Sequence, residues 1–114
     1  MPADCLFCRI AAGEIPATFV HRDETVVAFR DLNPQAPTHV LVVPVRHIVS
    51  AAALTDADGP MLGRLFAVAA DIARAEGLDN GFRLVANSGP DGGQTVAHLH
   101  MHLLGGRAMA WPPG

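Results

Sequence analysis

Three histidines alternate with large apolar residues in His98-Leu99-His100-Met101-His102-Leu103-Leu104. A β-strand sends successive side chains to opposite faces, so an extended 98–104 puts all three imidazoles on one side and Leu99, Met101 and Leu103 on the other. A helix cannot do this, because residues two apart do not share a helical face. The strand reading spaces neighbouring rings by about 6.8 Å, at a rise of about 3.4 Å per residue. Such a row spans too far for easy chelation of one ion at metal to nitrogen distances of about 2 Å. It suits a substrate with several oxygens, since an imidazole of ordinary pKa about 6.5 serves near neutral pH as nucleophile, acid, base or hydrogen-bond donor. The chain holds six histidines, and half of them fall in these five residues, which scattered surface histidines do not explain.

Directly before the row, residues 88–95 read Ser-Gly-Pro-Asp-Gly-Gly-Gln-Thr. The glycines let main-chain N–H groups approach a ligand closely, and the stretch delivers Gln94 and Thr95 beside His98. A glycine-rich loop alone is more often only a turn; leading into co-facing imidazoles, it has the layout of an anion pocket. The chemistry this points to is attack on phosphorus by a metal-free histidine that is itself nucleotidylated, while its neighbours hold oxygens and help the leaving group depart. His100 is the candidate nucleophile because it alone has a helper on either side. Cys5-x-x-Cys8 is a second candidate site. Two thiolates at this spacing commonly bind zinc, which then needs two further ligands; the bland alternative is a pair of reduced thiols on a helix turn. His21 falls in a hairpin and reads as surface. His39 opens the most strongly β stretch and reads, by itself, equally well as a core histidine bonded to main chain.

The elements that must position these groups are those of one small domain, residues 1–114. Half the residues are apolar, yet no run approaches the roughly eighteen needed to span a bilayer. Met-Pro-Ala-Asp-Cys lacks a basic region followed by a long apolar one, so the expectation is a cytoplasmic protein without a secretory signal. A net charge of -3 without a basic tract argues against a nucleic-acid polymer as partner, and no feature points to a membrane. All eight basic residues are Arg, which excludes a lysine nucleophile. The two cysteines are too close to staple a large loop.

In chain order, 4–12 reads as a short helix with Leu6, Phe7 and Ile10 at helical spacing and Gly13 as its stop. Residues 18–21 and 25–29 form a hairpin around Arg22-Asp23-Glu24. Pro34 and Pro37 stiffen the loop at 31–37. Residues 38–45 make a central strand whose ladder should stop at Pro44. Thr55 and Asp58 form a capping box, and Met61, Leu65, Phe66, Ala69, Ile72 and Ala73 lie on one face of a long helix that Gly77 ends. Residues 82–87 read as a strand, and Trp111-Pro112-Pro113-Gly114 as irregular. Strands joined by short polar turns with one long helix predict an α+β domain on an antiparallel sheet.

Residues 98–104 resemble the histidine triad (HIT) signature, and the likeness runs along nearly the whole chain. It takes in Asp31, Pro34-Gln35-Ala36-Pro37-Thr38-His39, Asn87, Asp91-Gly92-Gly93-Gln94-Thr95, Leu104-Gly105-Gly106-Arg107 and Trp111-Pro112-Pro113-Gly114. The pattern is similar to the histidine triad nucleotide-binding proteins rather than to the diadenosine-polyphosphate hydrolases or the uridylyltransferases. That resemblance implies a five-stranded antiparallel sheet with one long and one short helix, extended across a homodimer, and a purine nucleoside phosphoramidase or related nucleotidyl hydrolase. His100 would be the nucleophile, His102 would contact the phosphate or leaving group, and His39 with His98 would form a supporting relay. Asn87, Gly93, Gln94 and Thr95 would line the phosphate, with Thr95 standing where many members carry Ser. Asp31 would take the ribose hydroxyls, and Leu6, Phe7, Ile10, Ile15, Phe29 and Leu32 would wall the purine. Trp111 would reach toward the partner subunit's site. The resemblance also completes the thiol pair: Cys5, Cys8, His47 and His98 would hold a structural zinc, with no metal needed for catalysis. A zinc-bound His98 is less free to relay protons. The alternative function is a purine nucleotide-binding module with little catalysis. A metal-dependent enzyme using the triad as ligands is disfavoured by the straight-strand geometry.

Overall fold

The computed structural model describes residues 4–114; residues 1–3, on which part of the expectation about a secretory signal rests, lie outside them. The chain runs α1 (Leu6–Ala11), β1 (Phe19–Arg22), β2 (Val26–Arg30), β3 (Thr38–Pro44), α2 (Gly59–Ala75), β4 (Phe82–Val85) and β5 (Met101–Gly105). All five strands join one antiparallel sheet in the order β1-β2-β3-β5-β4. This is the α+β architecture expected, with one long helix, one short helix and a five-stranded sheet.

Strand alternation divides the core into two layers. Val26 and Ala28 of β2, Val40 and Val42 of β3, and Met101 and Leu103 of β5 face α2, where they meet Leu65, Val68, Ala69 and Ile72. Their neighbours Val27, Phe29, Leu41 and Val43 face the other way, against Phe7 and Ile10 of α1. Leu103 is fully buried in the first layer, and its truncation to Ala removes about 2–5 kcal/mol. The second layer matters for function. His102 pairs with Leu41 across the β3–β5 ladder, so it shares Leu41's face, under α1.

The helix ends follow their local chemistry. Cys5 caps α1, its sulfur accepting from the Cys8 N–H at 3.3 Å, and Gly13 turns the chain away with φ +82°. The Thr55 N–H donates to Asp58 at 2.9 Å, closing the expected capping box. That box sits on a single 3-10 turn, Asp56–Asp58, which feeds α2. Gly77, at φ +71°, takes the chain out of α2.

The histidine row departs from a uniform strand. Pairing in β5 begins only at Met101, and His98 lies in a bend. The reason is Pro44. Continuing the β3–β5 register, in which Val42 faces Met101, sets Pro44 opposite Leu99, and proline has no N–H for the ladder. The chain leaves the sheet there, and the Leu99 N–H goes instead to the Ile48 carbonyl at 2.6 Å. Strand β4 is also shorter than 82–87, because Asn87 turns off the sheet to bond the glycine loop.

Candidate active site

Because 98–100 leave the ladder, the six histidines sort into separate environments. His98 is fully buried. Its Nε2 lies 2.8 Å from the Pro44 carbonyl, which can only accept, so the hydrogen sits on Nε2 and the Nδ1 lone pair points away. That lone pair faces Cys5 Sγ at 3.3 Å, Cys8 Sγ at 3.5 Å and His47 Nδ1 at 3.2 Å. Cys8 Sγ is also 3.4 Å from His47 Nδ1. Ligands on a tetrahedral zinc at about 2.0–2.3 Å are separated by about 3.3–3.8 Å, so these spacings are those of a zinc tetrahedron's edges. The donor set fits zinc, and four protein ligands leave no position for substrate. Burial and the neighbouring Cys5 thiol push the Cys8 thiol up to about 11, a cost that a cation among the sulfurs reverses. Burial also lowers the pKa of His98, with His47 and His100 adding to the effect.

His39 and His102 form a different pair. The Gln35 main-chain N–H donates to His39 Nδ1 at 3.0 Å, so a neutral His39 carries its hydrogen on Nε2. That N–H donates to His102 Nδ1 at 2.9 Å, which leaves the His102 hydrogen on Nε2. Asp31 Oδ2 lies 3.5 Å from His39 Nε2. Burial holds both rings below the ordinary imidazole value, opposed at each by the Asp31 carboxylate. Asp31, His39 and His102 also bring three ligand-type atoms together. Gln35 decides against a metal there, since His39 Nε2 has a hydrogen where a ligand needs a lone pair. The ring that His39 meets is therefore His102 and not His98, with which a relay was expected.

His100 stands between the two groups. Its Nδ1 donates to the His98 carbonyl at 2.8 Å, so in the neutral ring the lone pair lies on Nε2. Its ring centroid is 5.1 Å from that of His102 and 5.0 Å from that of Phe7, which also meets His98 edge-on at 5.9 Å.

An apolar cavity of about 220 Å³ adjoins this row. Leu6, Phe7, Ile10, Ile15, Phe29 and Leu32 all line it, and Asp31 stands on its rim. Leu32 is 98 % exposed there, a large apolar side chain at the mouth. Of its lining residues, Phe7 lies 5.0 Å from the His100 ring and Asp31 lies 3.5 Å from His39 Nε2.

The glycine loop is held in shape by Gln94. Its amide oxygen accepts from the Gly89 N–H at 2.9 Å and its nitrogen donates to the Val49 and Val96 carbonyls at 2.7 and 3.0 Å. Gln94 thus builds the loop with the atoms expected to meet a substrate. Asn87 Nδ2 donates to the Gly92 carbonyl at 2.7 Å, and its oxygen has no partner among the described residues. A Cβ on Gly92 would lie 2.4 Å from the Ser88 carbonyl, and Gly93 adopts φ +78°, so both positions demand glycine. Thr95 borders a separate groove, beside Cys5 and His47. His21 is half-buried rather than fully exposed, bonded to Asp23 at 2.6 Å. Trp111 is 85 % exposed and does not line the apolar cavity; Arg83 of β4 holds its tail, donating to the Ala110 carbonyl at 2.7 Å.

The groups that sequence reasoning missed are main-chain ones, the Gln35 N–H and the Pro44 carbonyl. Prolines flanking the first and a proline inside a strand at the second were the available signals.

Comparisons with known proteins agree with this geometry. Residues 12–109 match the HIT domain family. A crystal structure of a HIT family hydrolase from Legionella pneumophila is 53% identical, with a TM-score of 0.96, covering 97% of this chain and 100% of that one. The 14 kDa zinc-binding protein of Zea mays is 50% identical over 111 residues, 96% of this chain and 87% of that protein. A histidine triad nucleotide-binding protein from Candida albicans is 27% identical with a TM-score of 0.81, covering 97% of this chain and 85% of that one. With the triad, the sheet and the match along most of its length in agreement, the chain belongs to the HIT domain family.

Proposed function

We propose that this protein hydrolyses purine nucleoside phosphoramidates, or related nucleotidyl compounds such as acyl-adenylates, through a covalent nucleotidyl intermediate on His100. The observation that carries this reading is the His100 hydrogen bond: Nδ1 donating to the His98 carbonyl at 2.8 Å leaves a lone pair on Nε2. The purine occupies the apolar cavity, and Asp31 at its rim accepts from the ribose hydroxyls. Asn87, Gly93 and Thr95 line the phosphate path, and Gln94 holds their loop. Nε2 of His100 forms a bond to phosphorus, and the phosphorus–nitrogen bond of the substrate breaks. Its electron pair leaves with the nitrogen, which departs as the amine after taking a proton from solvent. Water then attacks the phosphorus, the electrons of the P–Nε2 bond return to His100, and the nucleotide leaves. His102, its Nδ1 satisfied by His39, offers its Nε2–H to a phosphoryl oxygen where charge builds up.

Zinc on Cys5, Cys8, His47 and His98 is structural in this reading. It supplies a fixed cross-link between α1 and the segment before β5, and catalysis proceeds without metal. The zinc-binding relative from Zea mays supports the assignment. Reduced thiols at Cys5 and Cys8 suit a reducing compartment, which supports a cytoplasmic location in this reading. We also propose a homodimer in which the outer edge of β4, the last strand of the sheet, pairs with its copy. Exposed Phe82 on that edge strand and exposed Trp111 on the tail that Arg83 holds support this arrangement.

The experiment is single-turnover reaction with an adenosine phosphoramidate, followed by intact-mass detection. Wild type should acquire a nucleotidyl adduct mapping to His100, and His100→Asn should acquire none. Adduct on a residue other than His100, or turnover by His100→Asn at the wild-type rate, overturns the mechanism. Nucleotide binding without turnover would make the protein a binding module.

A further inference from the structure

We propose that Cys5 and Cys8 are a redox-modifiable pair, which a peroxide converts to a disulfide, expelling the metal and unseating His100. The coupling to His100 rests on the function proposed above; the thiol chemistry stands apart from it.

Access comes first. A groove of about 380 Å³ reaches the Cys/His cluster from solvent, lined by Cys5, His47, Val49 and Thr95 among others. Cys5 is half-buried on its wall, and Cys8 lies buried behind it. A small oxidant therefore meets Cys5 before Cys8. Geometry comes second. The two cysteines flank a single helical turn, with the Cys5 sulfur already bonded to the Cys8 N–H at 3.3 Å. All four ligand atoms of the cluster lie within 4.8 Å of one another, so the two sulfurs start close, and rotation of the half-buried Cys5 side chain is the motion the bond of about 2.05 Å calls for.

The reaction balances as follows. The Cys5 thiolate attacks one peroxide oxygen, the O–O bond breaks, and a sulfenic acid and one water form after proton uptake. The Cys8 thiolate then attacks the Cys5 sulfur and displaces hydroxide, which is protonated to a second water. Two sulfurs give up two electrons in all. Only His47 and His98 remain as ligands, too few for a tetrahedral zinc ion, and the metal leaves.

The consequence travels one residue further. His98, now without its metal-side partners, carries the carbonyl that fixes the His100 tautomer at 2.8 Å. Phe7 lies between the two cysteines in sequence, lines the apolar cavity and sits 5.0 Å from the His100 ring. Closing the disulfide moves both supports of His100 together.

The test uses full-length, zinc-loaded protein treated with hydrogen peroxide. We expect one zinc released per chain, read with a chromogenic chelator, and an intact mass lower by two hydrogens. Adduct formation from an adenosine phosphoramidate should slow about a hundredfold, the loss that goes with a displacement of about 1 Å at a reacting centre. Dithiothreitol with zinc should restore all three. Cys5→Ser should show no mass loss of two hydrogens, and the wild-type masses decide the matter even if that variant folds poorly. Retained zinc, or a mass raised by added oxygens with no disulfide, overturns the thiol pair. Zinc release with an unchanged adduct rate overturns the coupling. Reversible zinc release in a protein that forms no adduct in either state supports the thiol pair and instead removes the hydrolase reading.

Discussion

Two groups of histidines lie close together and meet opposite surroundings. Around His98, lone pairs and sulfurs converge: His98 Nδ1 faces His47 Nδ1, Cys5 Sγ and Cys8 Sγ at 3.2–3.5 Å. Around His39, donors and acceptors alternate, from the Gln35 N–H through His39 to His102 at 3.0 and 2.9 Å. The rings are chemically the same, and burial lowers the pKa of His98, His39 and His102 alike. What separates them is one main-chain partner each. Pro44 offers a carbonyl and so turns the His98 lone pair toward the thiols; Gln35 offers an N–H and so commits the His39 hydrogen to its neighbour. Which backbone group a histidine cluster meets decides whether its lone pairs converge, as a metal needs, or alternate with hydrogens, as a proton path needs.

Separate mutation of the two groups gives the largest contrast. Cys8→Ser should abolish stoichiometric zinc and lower stability by about 3 kcal/mol, as loss of a structural metal ligand does. Metal analysis and thermal melting check it. A variant that keeps one tightly held zinc would show that the converging group is not a metal site. On the other side, His39→Gln and His102→Asn should leave zinc content intact and slow single-turnover adduct formation by about a hundredfold or more, the range for a positioned proton-handling group. Loss of zinc from His39→Gln would erase the distinction between the groups.

Acidification should find the relay next. His39 and His102 are held below the ordinary value of about 6.5, mainly by burial. The unfolded chain therefore binds protons that the folded one refuses. Stability from these groups is fully present above about pH 6.5 and falls as pH drops below it. Rate should fall in the same direction, because a proton on His102 Nδ1 would face the His39 Nε2–H. A pH series of melting temperature and adduct rate tests both, and a rate flat from about pH 7 to about pH 4 would contradict the relay.

Much of this was legible in the residues. The β-rich runs 25–29 and 38–45 are strands as expected, and the Thr55 capping box with Gly77 bounded α2 closely. The residues that the resemblance assigned to the purine wall do line the apolar cavity, because α1 packs on the sheet face that carries Phe29 and Leu41. Alternation misled at His98, where the pattern continues but Pro44, more than fifty residues away, removes the partner N–H. Pairing of His39 with His102 was hidden for the same reason: it depends on strand register, which no local spacing contains. His47 carries no local signal at all and entered only through resemblance to known proteins.

The smallest effect sharpens the comparison most, since it changes no residue. Nitrogen-15 shifts of imidazole distinguish a nitrogen bearing hydrogen from one bearing a lone pair. At neutral pH without metal, His39 should show the lone pair on Nδ1, and His100 should show it on Nε2. His98 should show it on Nδ1, the nitrogen turned toward the cysteines. Adding zinc should move the His98 Nδ1 and His47 Nδ1 resonances and leave those of His39 and His102 in place. The opposite tautomer at His100 would put the lone pair on the nitrogen that faces the His98 carbonyl, leave Nε2 protonated, and take away the nucleophile on which the covalent mechanism depends.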